Sequence, residues 1–248
     1  MDSVTSDVVQ SELVKQTISK CNDINKSDKG IGTEDDNIDD YKHITYHKVD
    51  PKFKLLDVEV NFYLVHMKLA EDGKTLVVIP GFSEESICWT IGRINRYKDI
   101  ILEKGFSNVY IFDLKEIKQI EKDKNVYSQG QAFTNEFYTS IARIVDKIIR
   151  ALILKGNNIS ILGRSAGGGV SIWMYHLHTC TYIEGLNLAA PGYDPIGLQD
   201  MFLVKAKENN LKVRLSYSPR DTKVPGIQID KMKDQLLSLE DFDFIKVT

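Results

Sequence analysis

The 248-residue sequence has no strong excess of charge and no long hydrophobic run. Its formal net charge is −3, and no basic helix or arm stands out, which argues against a nucleic-acid partner. No run approaches the roughly 18 apolar residues that a membrane span requires. The first residues have neither a basic segment nor an apolar segment of the kind found in signal peptides. We therefore expect no membrane span.

Cysteine is also scarce, with only Cys21, Cys88 and Cys180 in the whole chain. Three widely spaced cysteines do not form the pattern of a disulfide framework or a zinc site. The spacing predicts reduced thiols, with Cys88 in the core, and neither a metal ion nor a cofactor. Together with the absence of a signal peptide, this predicts a cytoplasmic protein.

Residues 1–40 differ in composition from the rest of the chain. They contain ten acidic and four basic residues, and they have no aromatic residue. Such a segment buries too little apolar area to offset the entropy lost on ordering. We predict a disordered acidic tail over 1–40, with at most a short helix at 8–20, and one folded domain over 41–248.

The folded domain alternates strand and helix patterns. Continuous apolar runs such as 75–79 and 109–112 indicate strands buried on both faces, and amphipathic segments such as 134–154 indicate helices. This alternation predicts an α/β fold: a mostly parallel sheet of about eight strands with helices on both faces and no large cap domain. Ligands of such sheets bind at the carboxyl ends of the strands.

The most informative motif is Gly163-Arg164-Ser165-Ala166-Gly167. An apolar strand pattern at 158–162 precedes it, and a buried helix pattern at 168–176 follows it. A serine between glycines on a tight strand-to-helix turn is typical of a nucleophile elbow, in which the hydroxyl is exposed at a sharp corner. Ser165 is therefore the candidate nucleophile.

Two further turns supply candidate partners for Ser165. Pro80-Gly81-Phe82 follows the strand at 75–79, so the N–H groups of Phe82 and Ala166 are candidate donors to an oxyanion. Asp221 follows the strand at 212–217 and is the candidate acid of a triad, with Asp194 in reserve. The alternative for Asp221 is a solvated turn residue.

Over about 52–247 the chain resembles the α/β-hydrolase family. The resemblance depends on the Pro80-Gly81-Phe82 loop, the Gly163–Gly167 motif and Asp221-x-x-Val224-Pro225, which occur in the family's order. It implies an eight-stranded, mainly parallel sheet and hydrolysis by a serine, histidine and acid triad. By position, Ser165 matches the nucleophile, Asp221 the acid, and Phe82 and Ala166 the oxyanion donors.

The family's histidine follows the last strand, and here it is missing. The sequence ends at Thr248 just after the predicted last strand, and all five histidines come earlier: His43, His47, His66, His176 and His178. His176 and His178 would lie about 16 Å or more along the helix from Ser165. Either the natural chain continues to a histidine, which its end on an apolar strand favours, or the domain binds its ligand without cleaving it.

Three functions remain open at this point. A serine hydrolase would act on a small-molecule acyl ester, thioester or amide. The alternatives are a non-catalytic α/β-hydrolase-fold binding protein and a dinucleotide-binding oxidoreductase using the Gly163-x-x-x-Gly167-x-Gly169 turn. The oxidoreductase is disfavoured because several strands precede that turn and no acidic residue ends the next strand to hold a ribose.

Overall fold

The computed structural model of the chain describes ten parts of it: residues 4–8, 11–27, 38, 42–117, 120, 134–154, 156–178, 180–192, 199–219 and 226–246. Within these residues no helix combines the length and the apolar character needed to cross a lipid bilayer.

One nine-stranded sheet organises the part of the chain that the structure describes. The strands are β1 Thr5–Val8, β2 Ile44–Leu55, β3 Val58–Lys68, β4 Lys74–Ile79, β5 Phe106–Asp113, β6 Ile159–Arg164, β7 Ile183–Ala189, β8 Lys212–Tyr217 and β9 Phe242–Lys246. Their spatial order is β1-β2-β3-β5-β4-β6-β7-β8-β9. β1, β2, β3 and β5 pair antiparallel in that order, and every pair from β5 to β9 is parallel. The mostly parallel α/β sheet predicted from the sequence is confirmed, with nine strands instead of about eight.

Helices cover both faces of this sheet. They are α1 Ser11–Ser27, α2 Glu84–Arg96, α3 Lys98–Glu103, α4 Asn135–Ile148, α5 Ala166–Leu177, α6 Gln199–Glu208 and α7 Gly226–Leu236, and a π-helical turn at Ile149–Ile153 extends α4. The described segment between β7 and β8 contains α6 as its one helix.

The molecule has a hydrophobic core on each face of the sheet, because the side chains of the central strands point alternately to the two faces. In β4, Val77 and Ile79 belong to the core that includes α4 and α5, whereas Leu76 and Val78 face the core that includes α1 and α2. Successive side chains of a strand point to opposite faces, so an uninterrupted apolar run serves both cores at once. The carboxyl ends of the parallel strands remain between the two helical layers.

A two-residue turn joins β2 and β3. It consists of Leu56 and Asp57, with φ of 50° and 65°. Positive φ at both central residues is the geometry that joins two twisted antiparallel strands by two residues.

The prediction of a disordered tail is wrong for residues 4–8 and 11–27. β1 pairs with β2, and α1 packs on α2 with Val14, Ile18 and Cys21 buried. These three positions lie on one face of the helix, and each buried apolar side chain contributes about 1.5–3 kcal/mol. In the sequence these apolar positions alternate with charged and polar residues, so the overall composition of 1–40 did not indicate the apolar helix face.

The prediction of unpaired thiols is also wrong for two of the three cysteines. Cys21 of α1 and Cys88 of α2 form a disulfide across 67 residues of sequence, and Cys180 is a buried free thiol. Closing a loop of this length stabilises the fold by about 4 kcal/mol in the chain-entropy model. The disulfide thus helps to hold α1 on the domain, and it removes the cysteine argument for a cytoplasmic location, which stays a prediction.

Candidate active site

Ser165 occupies a strained corner between β6 and α5. Its φ and ψ are 52° and −127°, a conformation that side-chain-bearing residues rarely adopt. Hydrogen bonds hold the corner: the Ser165 N–H donates to Ala189 O at 3.0 Å, and the Ser165 carbonyl accepts from the N–H of Gly192 at 2.7 Å and of Gly168 at 2.9 Å. The side chain is half-buried, and its hydroxyl makes no hydrogen bond to a described residue. Among the described residues, therefore, no side chain holds the hydroxyl that this corner presents.

The glycines around Ser165 allow α5 to pack closely on the sheet. A Cβ added to Gly167 would lie 1.9 Å from Ile79 O and 2.4 Å from Pro80 O. A Cβ on Gly163 would lie 2.5 Å from Ser171 Oγ and 2.8 Å from Gly168 Cα. Because backbone atoms cannot move aside as a flexible side chain can, only glycine fits at Gly167 and Gly163 while the corner stays tight.

The Pro80-Gly81-Phe82 loop lies directly beside Ser165. A Cβ on Gly81 would be 3.8 Å from Ser165 Cβ and 2.9 Å from Ser86 Oγ. Phe82 is 5% exposed, and its ring packs edge-on against Phe137 at 6.1 Å between centroids. The fold thus brings the predicted donor loop and the predicted nucleophile together.

Ala166, the other predicted donor, begins α5 immediately after Ser165. The N–H groups of the first helical turn have no partner within the helix, and the helix dipole places partial positive charge there. A Cβ on Gly192 would lie 3.3 Å from Ala166 N, so this glycine keeps the space next to the amide open. The Tyr138 hydroxyl donates to the Gly192 carbonyl and anchors this loop to α4.

Sequence reasoning did not identify Ser86, Tyr138 and Gly192 as neighbours of the site. Gly192 contacts Ser165 directly, whereas Ser86 lies against Gly81 and Tyr138 holds Gly192. They come together because β4, β6 and β7 are adjacent and α4 packs beside α5. The Pro191-Gly192 dipeptide after β7 was a turn signal, but nothing in the sequence connected it to Ser165.

The two candidate acids, Asp221 and Asp194, lie outside the described residues. Their roles remain predictions from the sequence. Within the described parts of the chain, no three His, Cys, Asp or Glu side chains are placed to bind a metal ion.

The five histidines are distributed away from Ser165. His43 immediately precedes β2, His47 lies within β2, and His66 lies within β3. The strand order puts β2 four spacings and β3 three spacings from β6, or about 19 Å and 14 Å. His66 stacks on Tyr110 and hydrogen-bonds Asn108, as a packed strand residue does.

The remaining histidines lie at the far end of α5. His176 packs against Trp173, and His178 Nδ1 is 3.8 Å from Asp146 Oδ2. Both are at least eleven residues along α5 from Ser165, which corresponds to about 16 Å or more. No histidine of this chain can therefore take a proton from the Ser165 hydroxyl in this arrangement.

Comparison with known proteins finds similarity in structure but none in sequence. No protein-family model matches the chain, and no curated protein matches its sequence. A ferulic acid esterase from the anaerobic fungus Anaeromyces mucronatus matches in structure with a TM-score of 0.57 and 13% identity, over 90% of this chain and 88% of that chain.

Two bacterial structures are similar to a lesser degree. A protein from Acinetobacter baumannii, provisionally assigned as a lipase, has a TM-score of 0.53 and 12% identity over 97% of this chain and 90% of that chain. A protein from Klebsiella pneumoniae, provisionally assigned as a dienelactone hydrolase, has a TM-score of 0.51 and 14% identity, covering 83% and 85% of the two chains. At such low identity the likeness is one of fold, and the chain has the α/β-hydrolase fold.

Proposed function

We propose that this chain is a serine hydrolase that cleaves an acyl ester, thioester or amide, with Ser165 as the nucleophile. The observation that carries the proposal is the backbone of Ser165, with φ of 52° at the junction of β6 and α5. A strained residue persists only where the surrounding structure forces it, and such residues concentrate at functional sites. Gly167, packed against backbone oxygens, provides that force.

The amides beside Ser165 complete the first step of the reaction. When the hydroxyl oxygen attacks the acyl carbon, the carbonyl oxygen becomes an oxyanion that needs fixed donors. The N–H groups of Ala166 and Phe82 would serve, because Ala166 starts α5 and the Gly81 loop lies against Ser165. One such donor is worth about 2.7–4 kcal/mol of transition-state stabilisation.

Asp221 would orient and stabilise the imidazolium that forms when a histidine takes the serine proton, with Asp194 as the second candidate. That histidine is not among the five in this chain, since each lies about 14 Å or more from β6 or far along α5. Without a base, the catalysis that remains comes from the oxyanion donors and substrate binding, roughly 10³–10⁴-fold over water.

The same placement of the histidines favours one second candidate function. A protein with this fold and no base could bind an acyl compound without cleaving it. The two candidates differ in one testable property, which is whether a supplied base makes the Ser165 hydroxyl reactive.

The substrate we propose is a small or medium acyl compound. The ferulic acid esterase with the similar fold acts, by its name, on an ester. Among the described residues between β7 and β8, α6 is the one helix, which supports a site without a large cap. We also propose a cytoplasmic location, which stays a prediction.

The experiment is ester turnover with and without added imidazole, in the chain as it stands and in Ser165→Ala. Members of a triad act as a unit, so the loss of serine costs little when the base is already missing. We expect Ser165→Ala to change the rate little without imidazole. With imidazole, the unaltered chain should gain about tenfold or more over Ser165→Ala.

Ser238→Ala is the matched control, because Ser238 is an exposed serine that precedes β9 at the opposite end of the strands. It should keep the full imidazole response. Equal imidazole responses in the unaltered chain and Ser165→Ala, both measured above the rate of imidazole alone, would exclude the hydrolase and leave the binding protein.

A further inference from the structure

A cavity with charged side chains in its wall lies on the face of the sheet opposite α5. It has a volume of about 240 Å³ and opens between α1 and α2, beside the carboxyl end of β5. Asp113, the last residue of β5, forms part of its wall, as does Glu84, the first residue of α2. The cavity is large enough for a small organic molecule.

The Cys21–Cys88 disulfide forms another part of the wall. Each of the two cysteines is 1% exposed, yet both line the cavity. The cavity is therefore the route by which a reagent in bulk solvent would approach the disulfide. The size and chemistry of the cavity decide which reagent can enter.

Charges of both signs surround the disulfide. Lys20 Nζ is 2.8 Å from Glu84 Oε1, and both side chains are half-exposed. Deeper in the wall, Asp113 is 2% exposed, and its carboxylate is 3.0 Å from Lys115 Nζ and accepts a hydrogen bond from the Tyr46 hydroxyl. Two ammonium groups and two carboxylates within one cavity match a ligand that itself carries both charges, since each ligand group finds an opposite partner.

We propose that this cavity binds a small zwitterionic thiol, which reduces the Cys21–Cys88 disulfide. The ligand's carboxylate would contact Lys20 or Lys115, and its ammonium group Glu84. Its thiolate sulfur attacks one cysteine sulfur, the S–S bond breaks, a mixed disulfide forms, and the other cysteine leaves as a thiolate that takes up a proton. A second thiol molecule then displaces the protein cysteine, which yields the oxidised thiol dimer and two protein thiols.

Reduction removes the one covalent link between α1 and α2. α1 is then held by the burial of Val14 and Ile18, by the Lys20–Glu84 ion pair and by the pairing of Asn22 with the backbone of Ile38. An exposed ion pair contributes little. The N-terminal segment, and with it the cover over α2, is therefore loosened by the thiol.

The test compares the rates at which glutathione and 2-mercaptoethanol reduce the air-oxidised protein. Free cysteines are alkylated at timed intervals and their peptides weighed by mass spectrometry, and the rates are corrected for the thiolate fraction of each reagent. We expect glutathione to react about tenfold faster than 2-mercaptoethanol, because ionic contacts increase rates of association by about this factor. Lys20→Gln should lower the glutathione rate several-fold and leave the 2-mercaptoethanol rate unchanged.

Lys15→Gln is the matched control, because Lys15 is also on α1, is similarly exposed and pairs with one carboxylate, that of Glu12. It should behave as the unaltered chain. The proposal is overturned if glutathione has no advantage, if Lys15→Gln and Lys20→Gln lose it equally, or if the oxidised protein contains no Cys21–Cys88 disulfide. The readout is the mass of cysteine peptides, so the chemistry of Ser165 does not affect it.

Discussion

Gly167 lies at the closest approach of α5 to the sheet, and Gly167→Ala tests whether that approach creates the corner at Ser165. The added Cβ would be 1.9 Å from Ile79 O, whereas ordinary contact begins at 3.4 Å. The helix and the end of β4 would have to separate by about 1.5 Å. Overpacking costs 1–3 kcal/mol in a typical core, and we expect about 3 kcal/mol here because both neighbouring atoms belong to the backbone.

The assay is thermal unfolding followed by circular dichroism. For a chain of this length, 1 kcal/mol corresponds to about 2–4 °C in Tm, so Gly167→Ala should lower Tm by about 6–12 °C. Gly185→Ala is the matched control, since Gly185 is in β7 beside β6 and its added Cβ would be no closer than 3.4 Å to another atom. We expect its Tm to change by about 2 °C or less. Equal Tm values for the two variants would refute the packing argument.

Three further outcomes follow from buried polar groups. Burial raises the pKa of Cys180 to about 12, so iodoacetamide at pH 8 should alkylate it only after unfolding, as peptide mass spectrometry would show. Asp146→Asn should lower the free energy of unfolding by about 1.5–3 kcal/mol in urea melts, because the carboxylate accepts from Tyr182 and Arg150. Burial, followed by Lys205, lowers the pKa of His176 below 6.5. Protons then bind the unfolded chain more readily than the folded one, so stability should fall as the pH drops below about 6.5, and less steeply in His176→Gln.

The parts of the fold that follow from local pattern could be predicted from the sequence. Apolar runs such as 75–79 placed the buried strands, and Gly163–Gly167 placed the turn that holds Ser165. The mostly parallel sheet was predicted from the strand–helix alternation and was also implied by the resemblance to a known fold, whereas the order of its strands was not predicted. The Phe82 loop and Ala166 lie next to Ser165 as predicted, although their role in catalysis stays a prediction.

The rest depended on contacts between distant segments. β1 has a polar sequence and is a strand because β2 offers a free edge, and α1 folds on a surface that α2 provides. Cys21 and Cys88 become neighbours only through that packing. The chain between β4 and β5 divides at Tyr97 into α2 and α3, and no proline or glycine marks the break.

The most direct test of Ser165 as the nucleophile is covalent labelling with a fluorophosphonate in the presence of imidazole, followed by peptide mass spectrometry. A serine at a strained corner beside oxyanion donors should take up the phosphonate once a base is supplied. We predict a single adduct on the peptide containing Ser165, formed faster with imidazole and absent in Ser165→Ala. A folded protein that gains no adduct on Ser165 under these conditions would contradict the proposed function.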